Sequence, residues 1–273
     1  MKKNDSGTLY IVPTPIGNLD DISNRVIKIL SEVNFIVCED TRRTLKLLNS
    51  YNIKNTLISH YKENEIKSSD KIINLLIEGN DIGLVSDSGT PLISDPGSLL
   101  IRKAIENNVN IISVPGPTAL TTALVASGFD LSRFNFYGFL SKTNEDLNKI
   151  KNFDSVTVIY ESPHRLIKTL ELIADIIPDR DIVVAKEISK INESYFRGKA
   201  SDLLNMNIDT RGEFVIIIDK NDKSLDIKDF GISLKGHLAY YVNRGLSKND
   251  AIKHVAKDLN LPKNDIYKLF TNE

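Results

Sequence analysis

The chain has 273 residues, 41% of them hydrophobic and 26% charged, the balance of a folded protein with a real core and room for two domains. A net charge of −1 and the lack of any apolar run near the ~20 residues that span a bilayer disfavour a basic, non-specific nucleic-acid binder and a membrane-spanning chain. One cysteine, Cys38, and four scattered histidines exclude an intramolecular disulfide and give no zinc site, so no metal is expected and a soluble, cytoplasmic protein is.

Short apolar runs alternate with helical patterns along the first half. Leu9 to Val12 reads as a strand, and Ile22, Val26, Ile29 and Leu30 follow at helical spacing. Phe35 to Cys38 is a second strand, with Leu45, Leu47 and Leu48 on the helix after it, and Leu57-Ile58 a short third. A helix around Ile72 to Leu76, strands at Ile82–Val85 and Ile111–Val114, and a helix over Leu99 to Ile105 between them complete the pattern. Fully apolar strands alternating with helices predict a parallel sheet covered on both faces. After Pro115-Gly116-Pro117 a small-residue helix, Thr118 to Ser127, ends towards Gly128.

The second half has another texture. Strands are predicted at Phe136–Gly138, Val156–Tyr160, Ile182–Ala185, Glu193–Phe196 and Phe214–Ile218, with helices near 145–152 and 163–176. The last three strands have no long helix between them, which predicts a mixed sheet. Asp219 to Asp229 is polar and reads as a linker. The tail is helical, with a capping box at Ser247 and Asp250 and Pro262 at a helix start. Ala251, Val255 and Leu259 form one apolar stripe and Ile266, Leu269 and Phe270 another. The expected organisation is an N-terminal α/β domain over residues 8–117, a second α/β domain over 118–220, and a helical tail over 226–273. Charge is uneven: from Leu234 to the end there are seven Lys or Arg against four Asp or Glu, and the remainder is acidic. A positive tail allows local contact with phosphate.

Several common chemistries are disfavoured. No G-x-G-x-x-G follows the first strand, and Gly231 and Gly236 have P-loop spacing with His237 where lysine is required. No G-x-S-x-G nucleophile elbow occurs. Ligands of an open parallel sheet collect at the carboxyl ends of its strands. Three Gly/Pro-rich loops lie at such ends: Pro13 to Leu19, Asp87 to Pro91 running into Ser94-Asp95-Pro96-Gly97, and Pro115 to Thr118. Each alone is an ordinary turn; together they suggest a walled cleft. No Lys or Arg lies inside them, which suits an uncharged adenosine better than a triphosphate. Glu39-Asp40-Thr41-Arg42-Arg43 follows the second strand, and its cations sit in a first helical turn that disfavours them unless a ligand benefits. Tyr160-Glu161-Ser162-Pro163-His164-Arg165 is a second charged cluster at a strand end, and Arg211-Gly212-Glu213 precedes the last strand.

LYIVPTPIGNL, CEDTRRT, VSDSGTPLISDPG, VPGPTA, YESPHR and RGEFVI, in this order, resemble the tetrapyrrole-methylase superfamily. Within it they look like the branch that 2′-O-methylates a cytidine in the decoding region of small-subunit (16S) ribosomal RNA. The resemblance covers about residues 8–273; Ser88 stands where an alanine is frequent. It implies a two-domain fold with a cofactor cleft, a homodimer, and S-adenosylmethionine held by Pro15, Gly17, Asp87, Ser88, Gly89, Thr90, Pro117 and Thr118. A ribose hydroxyl is a weak nucleophile, so a base would help, and Glu39, Asp40 and Glu161 are the candidates. Arg42, Arg43, His60 and Arg165 would then serve the RNA acceptor, expected in the assembled 30S subunit, since guanidinium pairs well with phosphate. A methylase of the same fold acting on a tetrapyrrole or other small metabolite is the rival reading, and an inactive binding module the second.

Overall fold

Strands apolar on both faces need cover on both faces, and the first half of the chain supplies it. The computed structural model describes residues 6–141, 144–221, 234–258, 262–264 and 266–267. Strands β1 (Thr8–Val12), β2 (Phe35–Cys38), β3 (Thr56–Ser59), β4 (Ile82–Val85) and β5 (Asn110–Ser113) form one sheet in the order β3-β2-β4-β1-β5. Every pairing is parallel. Helices α1 (Asn24–Glu32) and α2 (Thr41–Ser50) bury Val26, Ile29, Leu30 and Leu48 against Val12, Ile36, Cys38 and Val85. Helices α3 (Glu65–Ile77) and α4 (Ser98–Glu106) bury Ile72, Leu76, Leu100 and Ala104 against Leu9, Val37, Ile82 and Leu84 on the other face. Because all five strands run the same way, the three Gly/Pro loops emerge along one edge, as their spacing predicts.

The second sheet is mixed, as expected. Strands β6 (Phe134–Phe139), β7 (Val156–Glu161), β8 (Asp181–Lys186), β9 (Ser194–Lys199) and β10 (Phe214–Ile218) lie in the order β6-β7-β10-β8-β9. Only β6 and β7 pair in parallel. Central β10 is buried throughout. Helices α6 (Glu145–Ile150), α7 (Leu166–Ile176) and α8 (Ala200–Asn205) cover one face. Sequence reading missed α8, whose six residues are too few to show a helical period. The helix expected at 118–127 is α5 (Ala119–Val125), with Gly128 at φ +83° beyond its Ala126 cap. It packs on the other face together with Ile16, which comes from the loop after β1. That insertion joins the two sheets beside the carboxyl edge of the first.

The chain divides into two compact units, residues 1–220 and 221–273. Both sheets belong to the first. In the second, α9 (Leu234–Val242) and α10 (Lys248–Asp258) enclose a small core of Leu238, Ala251, Ile252, Val255, Ala256 and Ile266. The capping box forms: the Asp250 amide donates to Ser247 Oγ at 3.2 Å. The Ile266 amide donates to the Pro262 carbonyl at 3.4 Å, the turn expected at that proline. The polar stretch from 222 to 229, the tail boundary at 226, and Gly231, Leu259, Lys268, Leu269 and Phe270 lie outside the described residues. Among the described residues no helix is long and apolar enough to cross a membrane.

Candidate active site

The loop after β4 is the centre of the site. Thr14 and Gly89 exchange backbone hydrogen bonds of 2.8 and 3.1 Å, which ties the β1 loop to the β4 loop. Thr14 Oγ1 donates to the Ser86 carbonyl at 3.1 Å. Thr90 Oγ1 donates to the Pro117 carbonyl at 3.0 Å and brings in the β5 loop. Gly89 holds φ at +79°, and a Cβ there would lie 3.1 Å from Ile16 Cγ2. A side chain is thus disfavoured at Gly89 both by conformation and by space.

These ties wall a cavity of about 360 Å³. Ser88, Gly89, Thr90, Asp95 and Thr118 line one side, and Phe139, Tyr160, Glu161 and Phe214 of the second sheet, with Glu213 just before β10, line the other. Its apolar walls include Ile16, Ile93, Ile188 and Val215, and no Lys or Arg is among the lining residues. Tyr160 is hydrogen-bonded to the Thr118 side chain, and burial pushes its phenol upward. Four of the residues expected to hold a cofactor fall elsewhere. Pro15, Gly17 and Asp87 line a neighbouring cavity of about 150 Å³ with Arg43 and Ser86. Pro117 lines a third, with Gly116 and Ser189, and its carbonyl is tied to the main cavity wall by the bond from Thr90. Residues 86–90 therefore form a partition, with Asp87 on one side and Ser88 to Thr90 on the other.

The expected bases are in three different states. Asp40 caps α2, accepting from the Arg42 amide at 2.9 Å and from the Arg42 guanidinium at 3.1 and 2.8 Å. Those bonds hold its carboxyl far below the usual carboxylate range, which makes it a weak base. Glu161 is 3% exposed and accepts from the Ser162 amide at 2.7 Å and Thr169 Oγ1 at 2.6 Å, with Arg165 Nε at 3.4 Å. Its oxygens are committed. Glu39 is exposed, and partial burial and the nearby Asp87 push its carboxyl upward.

Sequence reasoning did not single out Asp95, which lines the main cavity. Burial, Glu39 and Asp87 raise its carboxyl to about 6, with a hydrogen bond from Ser86 opposing. Three carboxylates from two loops thus converge, and the most enclosed is poised near neutrality.

Of the expected acceptor residues, Arg42 and Arg43 are exposed, at 86% and 68% of their side chains, and pair with Asp40 at 2.8 Å and Asp87 at 3.3 Å. His60 departs from expectation. It is 2% exposed, its Nδ1 lies 2.7 Å from Ser68 Oγ, and burial depresses its basicity. It follows β3 directly and packs inward instead of facing a substrate. Arg165 departs too: its guanidinium donates to the Leu140 carbonyl at 3.0 Å and pairs with Glu161, so it fastens β6 to β7. Glu213 faces the main cavity, whereas Arg211 pairs with Asp209 at 3.0 Å on the surface.

The family model for tetrapyrrole (corrin/porphyrin) methylases matches residues 8–204. A Bacillus subtilis protein named ribosomal RNA small subunit methyltransferase I is 39% identical over 97% of this chain and 94% of its own length. A Hydrogenobaculum sp. protein of the same name is 44% identical, with 96% of its length matched by 78% of this chain. Among solved structures, the uroporphyrin-III C-methyl transferase of Thermus thermophilus complexed with S-adenosyl homocysteine superposes with a TM-score of 0.56. Its identity is 14%, over 78% of this chain and 97% of that one, so the likeness concerns the fold.

Proposed function

From the premise that this chain belongs to the tetrapyrrole methylase family, we propose that it transfers a methyl group from S-adenosylmethionine to the 2′-hydroxyl of a cytidine ribose in small-subunit ribosomal RNA. The names of relatives matched over nearly the whole chain support the acceptor and do not favour a tetrapyrrole or small metabolite. The observation that carries the site is the cation-free cavity with Asp95 on its wall. Its volume, apolar faces and small hydroxyls suit an adenosine, and its carboxylates suit a positively charged sulfonium. The residues present fit the cofactor.

S-adenosylmethionine supplies an activated methyl group, and transfer exchanges an S–C bond for an O–C bond while the ribose hydroxyl gives up its proton. Ser88 to Thr90 and Thr118 shape the cofactor wall. Asp95 takes the proton, since a base poised near working pH combines availability with driving force. Arg43, beside Asp87 on the neighbouring cavity, and the exposed Arg42 hold phosphates flanking the target. Positioning supplies much of the acceleration. The target nucleotide must leave its stack, which costs least in loop or single-stranded RNA. The acceptor is the assembled 30S subunit, and the enzyme acts in the cytoplasm as a homodimer, for which sedimentation is the check.

The test is incorporation of labelled methyl into small subunits from a deletion strain, with the product mapped for 2′-O-methylcytidine. Labelling of the subunit at one cytidine is expected. Labelling of porphyrin precursors with none of the subunit would overturn the assignment.

A further inference from the structure

The second unit carries a surface that methyl transfer does not use. The Arg244 guanidinium lies 4.3 Å from the Tyr240 ring centroid. Tyr240 meets Tyr241 edge-on at 5.3 Å, and Tyr241 stacks on His254 at 5.1 Å and 27°. Lys253 and Lys257 stand one helical turn apart on α10, both exposed, and His254 is exposed beside Lys253. The result is a continuous strip of cation and ring across α9 and α10.

Tyr241 is fixed from beneath: its hydroxyl donates to Asp258 at 2.6 Å, and His237 Nε2 lies 3.1 Å from the same carboxylate. Tyr240 remains 41% exposed. Leu238, Ala251, Ile252 and Val255 are among the residues that make the apolar core, with Tyr241 packed against it, so Tyr241 anchors the strip while Tyr240 stands outside the core.

Two further observations set the unit apart. It is positively charged on an otherwise acidic chain. The family model ends at residue 204, and the Hydrogenobaculum relative, matched over nearly its whole length, leaves unmatched a stretch of this chain at least as long as the second unit. A protein of the same name does without that length of chain, and the second unit lies wholly beyond the residues the family model matches.

Exposed rings interleaved with Arg and Lys are how proteins hold single strands: bases stack on the rings and cations track the phosphates. We propose that the Arg244–Tyr240–Tyr241–His254 strip, flanked by Lys253 and Lys257, is a docking surface for single-stranded RNA of the acceptor. The proposal rests on the reading that the acceptor is RNA.

The test uses the full-length protein and a fluorescein-labelled single-stranded oligoribonucleotide, with an RNA duplex of the same composition as comparison. Wild type binds the single strand more tightly. Tyr240→Ala weakens that binding about tenfold and Tyr240→Phe does not, because the ring is the stacking surface. Lys253→Gln with Lys257→Gln flattens the logarithmic salt slope by about 1.4, the loss of two single-strand phosphate contacts. Each variant keeps its far-UV circular dichroism and its S-adenosylmethionine affinity, and shows a higher KM for small subunits at unchanged kcat. Folded variants that bind the oligonucleotide with wild-type affinity and salt slope overturn the strip. Failure of the wild-type protein to methylate small subunits would instead count against the proposed reaction.

Discussion

Glu65, the first residue of α3, caps a different helix: its Oε1 accepts from the Gly97 amide at 3.1 Å and the Leu99 amide at 3.3 Å, at the start of α4. Gly97, the α4 cap residue, has no side chain to do this and sits at φ +119°. The same contact fixes the chain two residues after Asp95. Glu65→Ala is expected to cost about 1 kcal/mol of stability, the usual worth of a cap. It should also lower kcat severalfold, with cofactor affinity unchanged, and Glu65→Gln should restore most of both. Urea denaturation alongside steady-state kinetics checks this. Unchanged kcat in Glu65→Ala would leave the capping contact a structural detail only.

Asp95 couples activity and stability to pH in opposite senses. Its carboxyl is raised from 3.8 to about 6 in the folded protein, so the folded state holds the proton more tightly than the unfolded chain. Its contribution to stability is full below the unfolded value and is lost as pH rises through about 6. Activity needs the ionised form and should rise over that interval. Asp95→Asn should therefore abolish methyl transfer while making the protein more stable than wild type above pH 6, by about 1–2 kcal/mol after allowing for solvent screening. Near pH 4 the advantage should vanish. Thermal unfolding across pH, set beside single-turnover rates, reads both.

Gly89→Val puts a branched side chain where φ is +79° and Ile16 Cγ2 is 3.1 Å from the new Cβ. Backbone strain alone should cost about 1–3 kcal/mol, and the side chain should weaken S-adenosylmethionine binding at least about tenfold by closing the cavity. Gly128→Val is the control: its φ is +83° with nothing within 4 Å of the Cβ. It should lose comparable stability and keep cofactor affinity. Calorimetric titration of both variants decides; equal affinities would remove Gly89 from the cofactor wall.

The pattern of the sequence reached the sheets and the strand-end loops because apolar runs such as Ile82–Val85 and Phe214–Ile218 are buried on both faces and carry that burial in their composition. It reached the shared edge because parallel strands put their carboxyl ends together. It did not reach Asp95, whose chemistry comes from Asp87 of its own loop and Glu39 at the end of β2 coming close to it in the fold. Arg165 and His60 look like site residues in one dimension. Their partners, the Leu140 carbonyl and the Ser68 hydroxyl, appear only once β6 lies beside β7 and α3 packs under β3. Pro15 and Gly17 were expected on the cofactor side, but residues 86–90 separate them from the main cavity.

Arg42 and Arg43 are neighbours with different electrostatic consequences. Both occupy the first turn of α2, where the helix dipole disfavours cations. Arg42 spends its guanidinium on Asp40, a carboxylate that takes no part in raising Asp95. Arg43 lies 3.3 Å from Asp87, which does raise Asp95. Removing Arg42 should therefore cost acceptor binding alone: a higher KM for small subunits, and a salt slope shallower by about 0.7 if one single-strand phosphate contact is lost. Removing Arg43 should do the same and also leave Asp87 without its counter-charge. Asp95 would then hold its proton more tightly, and the acid limb of kcat against pH should move to higher pH in Arg43→Ala but stay in place in Arg42→Ala. Arg43→Lys should keep the limb near its wild-type position while recovering only part of the acceptor affinity, since an ammonium supplies charge without the bidentate fork. The measurement is the pH profile of single-turnover methylation for the three variants at saturating S-adenosylmethionine. Identical acid limbs in Arg43→Ala and wild type would show that Asp87 and Arg43 do not set the proton affinity of Asp95, and would send the search for the base back to Glu39.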